Sequence, residues 1–193
     1  RSMSKCSHKA DMKTALILTG YFPPAYDVGG KRAYRFARYL PDYGWRPIIV
    51  TAPAPARRPV DPGPFVLPDL VEIHRKLYPS WWPESGKRFS DGTIASPVRN
   101  QVGPPSLGAS LKRQFVVPAG PDALLTPLAG HQISKLAKKV GSDIIFASSG
   151  PYACLLYGRQ VAKRTGLPLV LDVRDPWTLN FLQANRAWWV QWA

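Results

Sequence analysis

Two glycines and an arginine follow the first hydrophobic run of the chain in a pattern that could bind an anion. Gly29 and Gly30 end the loop Tyr21–Gly30, and Arg32 falls in the first turn of the amphipathic segment that follows. Paired glycines let a ligand approach the backbone, and a helix N-terminus offers free N–H groups and a positive dipole end. The pattern is compatible with a phosphate-binding turn, although a plain glycine-containing turn before a helix is the slightly favoured explanation of this element taken alone.

A second polar cluster, Ala147-Ser-Ser-Gly-Pro151, follows a predicted strand and precedes a predicted helix. The hydroxyls of Ser148 and Ser149 can donate and accept hydrogen bonds, which suits sugar hydroxyls. A serine in front of a helix is also a common N-cap, and capping is the favoured interpretation of Ser149 taken alone. The sequence has no G-x-S-x-G motif, which argues against a serine hydrolase.

A third cluster, Asp172-Val-Arg-Asp-Pro-Trp177, ends the last predicted strand. Asp175 before Pro176 is typical of a helix N-cap with proline at the first helical position. Capping does not explain Asp172 or Arg174, whose guanidinium could pair with an aspartate or present its fork to a phosphate or sugar. The candidate substrate- and phosphate-binding residues are Gly29, Gly30, Arg32, Ser148, Ser149, Arg174 and Asp175; the catalytic residue is unknown.

The elements that position the first cluster form a strand–helix–strand unit. Thr14–Thr19 and Pro47–Thr51 are β-rich hydrophobic runs, typical of buried parallel strands. Between them, apolar residues follow the i, i+3, i+4, i+7 spacing of an amphipathic helix. These residues are Ala33, Phe36, Ala37 and Leu40.

The other two clusters belong to a second run of alternating helices and strands. The pattern predicts helices at Leu124–Val140 and Tyr152–Thr165, each followed by a strand, at Asp143–Ala147 and Leu169–Val173. Between the two runs, residues 53–127 hold fourteen of the 21 prolines and one predicted strand, Leu70–Arg75. We therefore expect an α/β doubly wound parallel sheet with a proline-rich insertion.

Such a sheet binds ligands outside the carboxyl ends of its strands, at the point where the strand order reverses. All three polar clusters follow strands. If the strand order is 3-2-1-4-5, the loops that carry Gly29-Gly30 and Ser148-Ser149 flank one crevice.

The length, hydrophobic content and net charge of the chain indicate its domain organisation and the kind of molecule it binds. A chain of 193 residues, 45% of them hydrophobic, supports one domain core. Its net charge of +14 favours anionic partners, namely phosphates, nucleic acid or an anionic membrane surface. Residues 1–11 are expected to be a disordered tail or a cloning remnant, and Trp177–Ala193 an aromatic-rich helix.

Cysteine and histidine usage indicates neither a disulfide framework nor a metal site. Cys6 and Cys154 are the only cysteines, and His8, His74 and His131 are scattered without a shared ligand spacing. No apolar run approaches the 18 residues of a membrane span, and no secretory signal precedes Met12. We therefore expect a cytoplasmic protein, peripheral to the inner face of the membrane at most.

Two blocks of the sequence resemble family-four glycosyltransferases, which have the two-domain GT-B fold. The first contains Pro23-Pro24, Gly29-Gly30, Arg32, Phe36–Leu40, Gly44-Trp45, Pro47 and Val50-Thr51. The second contains Asp143–Pro151 and Gly166–Trp177, with the distinctive string Arg-Asp-Pro-Trp. Together they cover about residues 14–51 and 142–180.

The resemblance implies the Rossmann-like, acceptor-side half of a retaining enzyme. It implies transfer of a sugar from a nucleotide-diphosphate donor to a saccharide or lipid-linked acceptor, in envelope or exopolysaccharide synthesis, with no cofactor in this domain. Gly29 and Gly30 would face the donor diphosphate. Many relatives have a histidine near the end of the fourth strand, whereas this chain has Ser148-Ser149. The C-terminal donor-binding domain of the family is absent from this sequence.

Two other classes of function remain open. A nucleic-acid-binding module would explain the positive charge and the basic, tryptophan-containing loops near Trp81-Trp82, but not the clusters at the strand ends, so nucleic acid is disfavoured as a partner. An NAD-type oxidoreductase domain is weakened because the G-x-G-x-x-G fingerprint is missing. In addition, the second strand ends in Thr51-Ala52-Pro53 and lacks the expected acidic residue.

Overall fold

Five parallel strands form the centre of the protein. The computed structural model describes residues 12–24, 28–53, 65–77 and 121–174. The strands are β1 (Lys13–Thr19), β2 (Trp45–Thr51), β3 (Glu72–His74), β4 (Ile144–Ser148) and β5 (Leu169–Asp172). They pair in the order β3-β2-β1-β4-β5, with every pairing parallel. This confirms the doubly wound α/β fold and places the reversal of strand order between β1 and β4.

Three α-helices connect the strands close to the predicted positions. They are α1 (Val28–Tyr39), α2 (Thr126–Lys139) and α3 (Ala153–Thr165). The predicted helix at Leu124–Val140 begins with a short 3-10 helix, Pro121–Leu125, because Pro127 falls in the first turn of α2. A second 3-10 helix, Leu40–Tyr43, extends α1. It ends at Gly44, whose φ of 76° lies in the left-handed region that favours glycine.

The helices cover both faces of the sheet. Leu16 and Leu18 point toward α2 and α3, in a cluster that also buries Ile133 and Tyr157. Ile17 points to the opposite face, where α1 packs through small residues such as Ala33 and Ala37. Because alternate residues of a strand face opposite sides, β1 contributes to both layers and is buried throughout from Thr14 to Thr19.

Several predictions fall outside the described residues. These are the tail at residues 1–11, most of the proline-rich insertion, Asp175, and the aromatic segment Trp177–Ala193. The predicted strand Leu70–Arg75 is shorter in the structure, where β3 spans Glu72–His74. No helix in the described part of the chain is long and apolar enough to cross a membrane.

Candidate functional site

A row of polar side chains crosses four strands at their carboxyl ends. In the sheet register, Thr19 of β1 is paired with Thr51 of β2 on one side and with Ser148 of β4 on the other. Ser148 in turn is paired with Asp172 of β5. Thr19 lies two residues after Ile17, so the row belongs to the face that α1 covers. The pairing register of the strands therefore brings together, at one edge of the sheet, polar residues that are far apart in the sequence.

Asp172 is the centre of this row. Its Oδ2 accepts a hydrogen bond of 2.8 Å from the Ser148 hydroxyl, and its Oδ1 lies 2.5 Å from Nη1 of Arg32. The Asp172 side chain is 15% exposed and that of Arg32 is 51% exposed, so the ion pair forms the boundary between the sheet edge and solvent. Both carboxylate oxygens of Asp172 are thus engaged.

Arg32 therefore has a protein partner that the sequence did not reveal. The prediction placed Arg32 in the first turn of a helix, and the structure has it as the fifth residue of α1. Its guanidinium contacts Asp172 directly, so an anionic ligand would have to compete with this carboxylate for Arg32. The sequence did indicate that Asp172 has a role, because it lies at the end of a predicted strand and helix capping does not account for it.

Ser149 does not cap a helix, and that interpretation was wrong. The Ser149 hydroxyl accepts a 2.9 Å hydrogen bond from the backbone N–H of Arg174, and its own N–H donates to the Asp172 carbonyl at 2.9 Å. Three residues separate Ser149 from the first residue of α3, and the N-cap position is occupied by Tyr152, whose side chain makes no capping bond. Ser149 instead joins the end of β4 to the end of β5.

Arg174 packs on the loop that follows β4. Its Nε donates to the Ser149 carbonyl at 2.8 Å, and its Nη2 donates to the same oxygen. The guanidinium thus binds a backbone carbonyl, a partner that the sequence did not indicate, and its contact with a phosphate or sugar stays a prediction. Gly150 makes this possible: its φ is 100°, and a Cβ there would collide with Nη2 of Arg174.

The glycine pair lies at the start of α1, on the same edge of the sheet. Gly29 and Gly30 are both buried, and a Cβ at Gly30 would come within 3.2 Å of the Tyr21 carbonyl. The first turn of α1 contains no acidic residue. The helix N-terminus is therefore packed tightly against the loop after β1, with its positive dipole end free of a carboxylate from its own first turn.

The loops after β1 and β4 also touch each other. A Cβ on Gly20 would collide with the ring of Pro151 and lie 2.9 Å from the Gly150 carbonyl. The predicted proximity of these two loops is thus present at the reversal of strand order. The structure brings Gly29, Gly30, Arg32, Ser148, Ser149 and Arg174 to one edge of the sheet.

A further cation at this edge was not among the sequence candidates. Arg75, the residue after β3, donates from Nη2 to the carbonyl of Pro23 in the loop that follows β1. Burial lowers the pKa of this guanidinium from its ordinary value. The sequence had assigned Arg75 only to the end of a strand, because nothing in its neighbours marks it as a site.

The chemistry available at this edge is hydrogen bonding and charge. Hydroxyls, a carboxylate and guanidinium groups can orient a polyhydroxylated or phosphorylated ligand. Within the four described ranges, no group of three or more histidine, cysteine, aspartate or glutamate residues could hold a metal ion. A comparison with protein-family models finds no match to this sequence, and a comparison with curated proteins finds none either.

Proposed function

We propose that this chain is the acceptor-side domain of a glycosyltransferase that moves a sugar from a nucleotide-diphosphate donor to a saccharide or lipid-linked acceptor. One observation carries the proposal: Asp172 holds both Ser148 and Arg32 at the reversal of strand order, beside the N-terminus of α1. Ligands of open parallel sheets bind at this place. The resemblance of residues 14–51 and 142–180 to family-four glycosyltransferases selects sugar transfer among the activities such a site can support.

In this function the two ends of the crevice have different tasks. The N-terminus of α1 faces the donor diphosphate, whose negative charge the positive end of the helix dipole stabilises. The Asp172 carboxylate and the Ser148 hydroxyl orient acceptor hydroxyls by hydrogen bonds. Arg32 fixes the position of Asp172 and is thus a positioning residue. The full reaction also needs a second Rossmann-like domain, which holds the nucleotide on the opposite wall of the cleft.

A transfer assay tests this function. A longer form of the protein that includes a second Rossmann-like domain is incubated with radiolabelled nucleotide-diphosphate sugars and with envelope lipid or oligosaccharide extracts. We expect label to enter the acceptor fraction, and D172N to reduce this transfer by about tenfold or more. K139A is the control, since Lys139 is an exposed residue at the end of α2 and lies away from the carboxyl ends of the strands. Absence of transfer from every donor would refute the proposal.

We also propose that the domain associates peripherally with anionic membranes through the outer surface of α1. Phe36, Tyr39 and Tyr43 are 39%, 52% and 78% exposed on this surface. Arg35 lines the same surface, and the Arg38 guanidinium lies 5.8 Å from the centre of the Tyr39 ring; both arginines are exposed as well. Aromatic rings favour the membrane interface and cations favour anionic headgroups, so this mixture suits a bilayer surface better than either residue type alone. Trp81 and Trp82, which lie among the basic loops of the sequence, fall outside the described residues.

Vesicle co-sedimentation tests the membrane proposal. We expect binding to vesicles that contain phosphatidylglycerol, little binding to pure phosphatidylcholine, and loss of binding as salt rises. The double variant R35A/R38A should bind more weakly than K138A/K139A, which removes the same charge from the exposed end of α2. Equal binding to both lipids at low salt, or equal loss in both double variants, would contradict a role for the α1 surface.

A further inference from the structure

Three polar side-chain atoms at the carboxyl ends of β2 and β3 are buried without a hydrogen-bond partner: Oγ1 of Thr51, Nε2 of His74 and Nη1 of Arg75. His74 Nε2 lies 3.6 Å from the Glu72 carboxylate, whereas neither Thr51 nor Arg75 has an ion-pair partner among the described residues. The strands pair through Val50 and His74, so Thr51 and Arg75 follow as the next neighbours in register. Both lie on the α1 face, since Thr51 is two residues after Ile49 and Arg75 reaches Pro23 in the loop after β1. Arg75 therefore continues the polar row from Thr51 of β2 to the end of β3.

The polar atoms in the two halves of this row differ in whether they have hydrogen-bond partners. Ser148 and Asp172 bond to each other, and Thr19 donates from its hydroxyl to the Tyr21 carbonyl at 3.0 Å. Thr51 is completely buried, yet its hydroxyl has no partner. Buried polar groups are almost always hydrogen-bonded, so an unpaired hydroxyl beside an unpaired guanidinium nitrogen requires an explanation.

Arg75 has no ion-pair partner among the described residues. Within these ranges its guanidinium donates one hydrogen bond, to the Pro23 carbonyl, and no carboxylate forms an ion pair with it. Desolvation, unopposed by a nearby negative charge, lowers its pKa. A half-buried guanidinium that makes one neutral hydrogen bond leaves most of its N–H donors unused, and its planar fork matches a phosphate or carboxylate.

We propose that Arg75 and Thr51 bind the phosphate group of a ligand at the carboxyl ends of β2 and β3. A phosphate offers several acceptor oxygens, one for the guanidinium and another for the Thr51 hydroxyl, which is free to donate. The overall charge of +14 favours the approach of such a ligand. This site goes beyond the proposed glycosyl transfer, because Thr51 and Arg75 lie at the ends of β2 and β3, on the opposite side of β1 from Ser148 and Asp172.

Arg75 is the member of the pair that can move to meet the ligand. Thr51 is fixed within β2 and fully buried, whereas Arg75 is only half-buried and carries a long side chain. Its guanidinium exchanges the Pro23 carbonyl for a phosphate oxygen and so trades a neutral partner for a charged one. Charge-assisted hydrogen bonds are stronger than neutral ones, so the exchange is favourable when phosphate is present.

Arg46 provides a matched control for Arg75. It is also half-buried, donates from Nη2 to a backbone carbonyl, that of Val140, at 3.3 Å, and has a buried nitrogen without a partner, Nε. It lies at the opposite end of β2, near the amino edge of the sheet. R46M and R75M therefore remove the same charge and the same kind of contact, and differ in position along the strand.

The test is a titration of inorganic phosphate into the chain, read by calorimetry and by NMR of the arginine Nε–H signals, with chloride holding the ionic strength constant. We expect R75M to weaken phosphate binding by about tenfold or more and R46M to change it by less than about twofold. Equal weakening in both variants would show general electrostatic attraction and overturn the site. Acetate binding as tightly as phosphate would overturn the assignment to phosphate.

T51V separates binding from structure. Valine has nearly the shape of threonine and removes a hydroxyl that has no partner, so the midpoint of urea unfolding should stay the same or rise. Phosphate binding should nevertheless weaken several-fold. A lowered midpoint with unchanged phosphate binding would show that the hydroxyl has only a structural role, which would overturn its part in the site.

Two phosphate esters identify the source of the ligand. Tighter binding of sn-glycerol 3-phosphate than of glucose 6-phosphate supports a lipid headgroup, and the reverse order supports a phosphorylated sugar. Loss of binding for both esters, with inorganic phosphate retained, would overturn a site for phosphate-bearing molecules. None of these measurements involves glycosyl transfer, so their failure leaves the proposed function standing, and its failure leaves them unaffected.

Discussion

Arg32 and Asp172 are 140 residues apart in the sequence and form a 2.5 Å ion pair that joins α1 to β5 across the end of β4. The pair links the first helix of the chain to the last strand described. Because Ser148 donates to the other oxygen of the same carboxylate, one aspartate connects three elements. The contacts between α1, β4 and β5 that involve Ser148 and Arg32 thus share one carboxylate, that of Asp172.

The free energy of this ion pair can be measured in a double-mutant cycle with R32A and D172N. We expect a coupling of about 0.5–1 kcal/mol in urea unfolding, because half-exposed pairs contribute little. D172N alone should cost more than R32A alone, since it also weakens the acceptor of the Ser148 hydroxyl. R35A is expected to be neutral. A coupling of zero would mean that the two side chains do not form the pair in solution.

The hydroxyl of Tyr157 should contribute measurably to stability. Tyr157 is fully buried, and its Oη donates a 2.7 Å hydrogen bond to the backbone carbonyl of Asp122. Y157F is expected to lower the free energy of unfolding by about 1–2 kcal/mol, because it leaves a buried carbonyl with one donor fewer. Y43F, at a residue that is 78% exposed, is the control and should be neutral.

The same residue should make stability depend on alkaline pH. Burial, and to a lesser extent the nearby Asp122, raise the pKa of Tyr157 above the ordinary tyrosine value. The folded protein therefore retains a proton that the unfolded chain loses near pH 10, so the contribution of Tyr157 is full below about pH 10 and declines above it. Urea unfolding at pH 8 and pH 10.5 should show a smaller decline for Y157F. An identical decline in both proteins would contradict the raised pKa.

Gly158 should not tolerate a side chain. A Cβ there would lie 2.7 Å from Cβ of Ala147 and 3.2 Å from Cδ1 of Leu169, so α3 rests directly on β4. G158A is expected to lower the free energy of unfolding by about 1–3 kcal/mol despite the better helix propensity of alanine. If G158A is as stable as the parent protein, the helix must lie farther from the strand than described.

Gly130 is the matched control. The three atoms nearest to a Cβ there all belong to the Gln160 side chain, Cγ at 2.3 Å, Cβ at 3.0 Å and Cδ at 3.6 Å. Q160A removes Cγ and Cδ and keeps Cβ, so G130A in a Q160A background should lower the free energy of unfolding by less than G158A does, because helix propensity offsets part of the remaining contact.

The 193-residue chain alone should not bind nucleotide sugars tightly. Under the proposed function, stabilising a departing diphosphate requires donors on both sides of a closed cleft, of which the N-terminus of α1 would supply one side. Calorimetric titration with UDP-, GDP- and dTDP-linked sugars should give dissociation constants weaker than about 1 mM, with no donor turnover. Tight donor binding or robust turnover would show that the site is complete within these residues.

The strands could be predicted well from sequence because their hydrophobicity is local. The runs at Thr14–Thr19 and Pro47–Thr51 are apolar and β-rich, and the structure has strands at Lys13–Thr19 and Trp45–Thr51. The strand order also followed the prediction, since strand–helix–strand connections in parallel sheets have a fixed hand. The short strand Glu72–His74 was predicted too long, because at an exposed sheet edge little burial marks its ends.

The polar contacts could not be predicted in the same way. The roles of Ser149 and Arg174 depend on the register of β4 against β5, which places Ser148 opposite Asp172. A shift of one residue would turn these side chains to the other face. Arg32 has Asp172 as its partner for the same reason. Sequence shows which residues lie at strand ends, whereas the fold decides which of them face each other.

The central position of β1 has a consequence for synthesis on the ribosome. One neighbour, β2, follows after a single helix, but the other, β4, comes much later: Thr14 and Asp143, whose contact begins that pairing, are 129 residues apart. At about 5–20 residues per second, translation of that interval takes roughly 6 to 26 seconds. During this time the emerging chain has β1 paired on one side only, with Leu16, Ile17 and Leu18 beside an open edge. We therefore expect nascent chains stalled between β2 and β4 to engage chaperones, and released chains to dissociate from them once β4 is made.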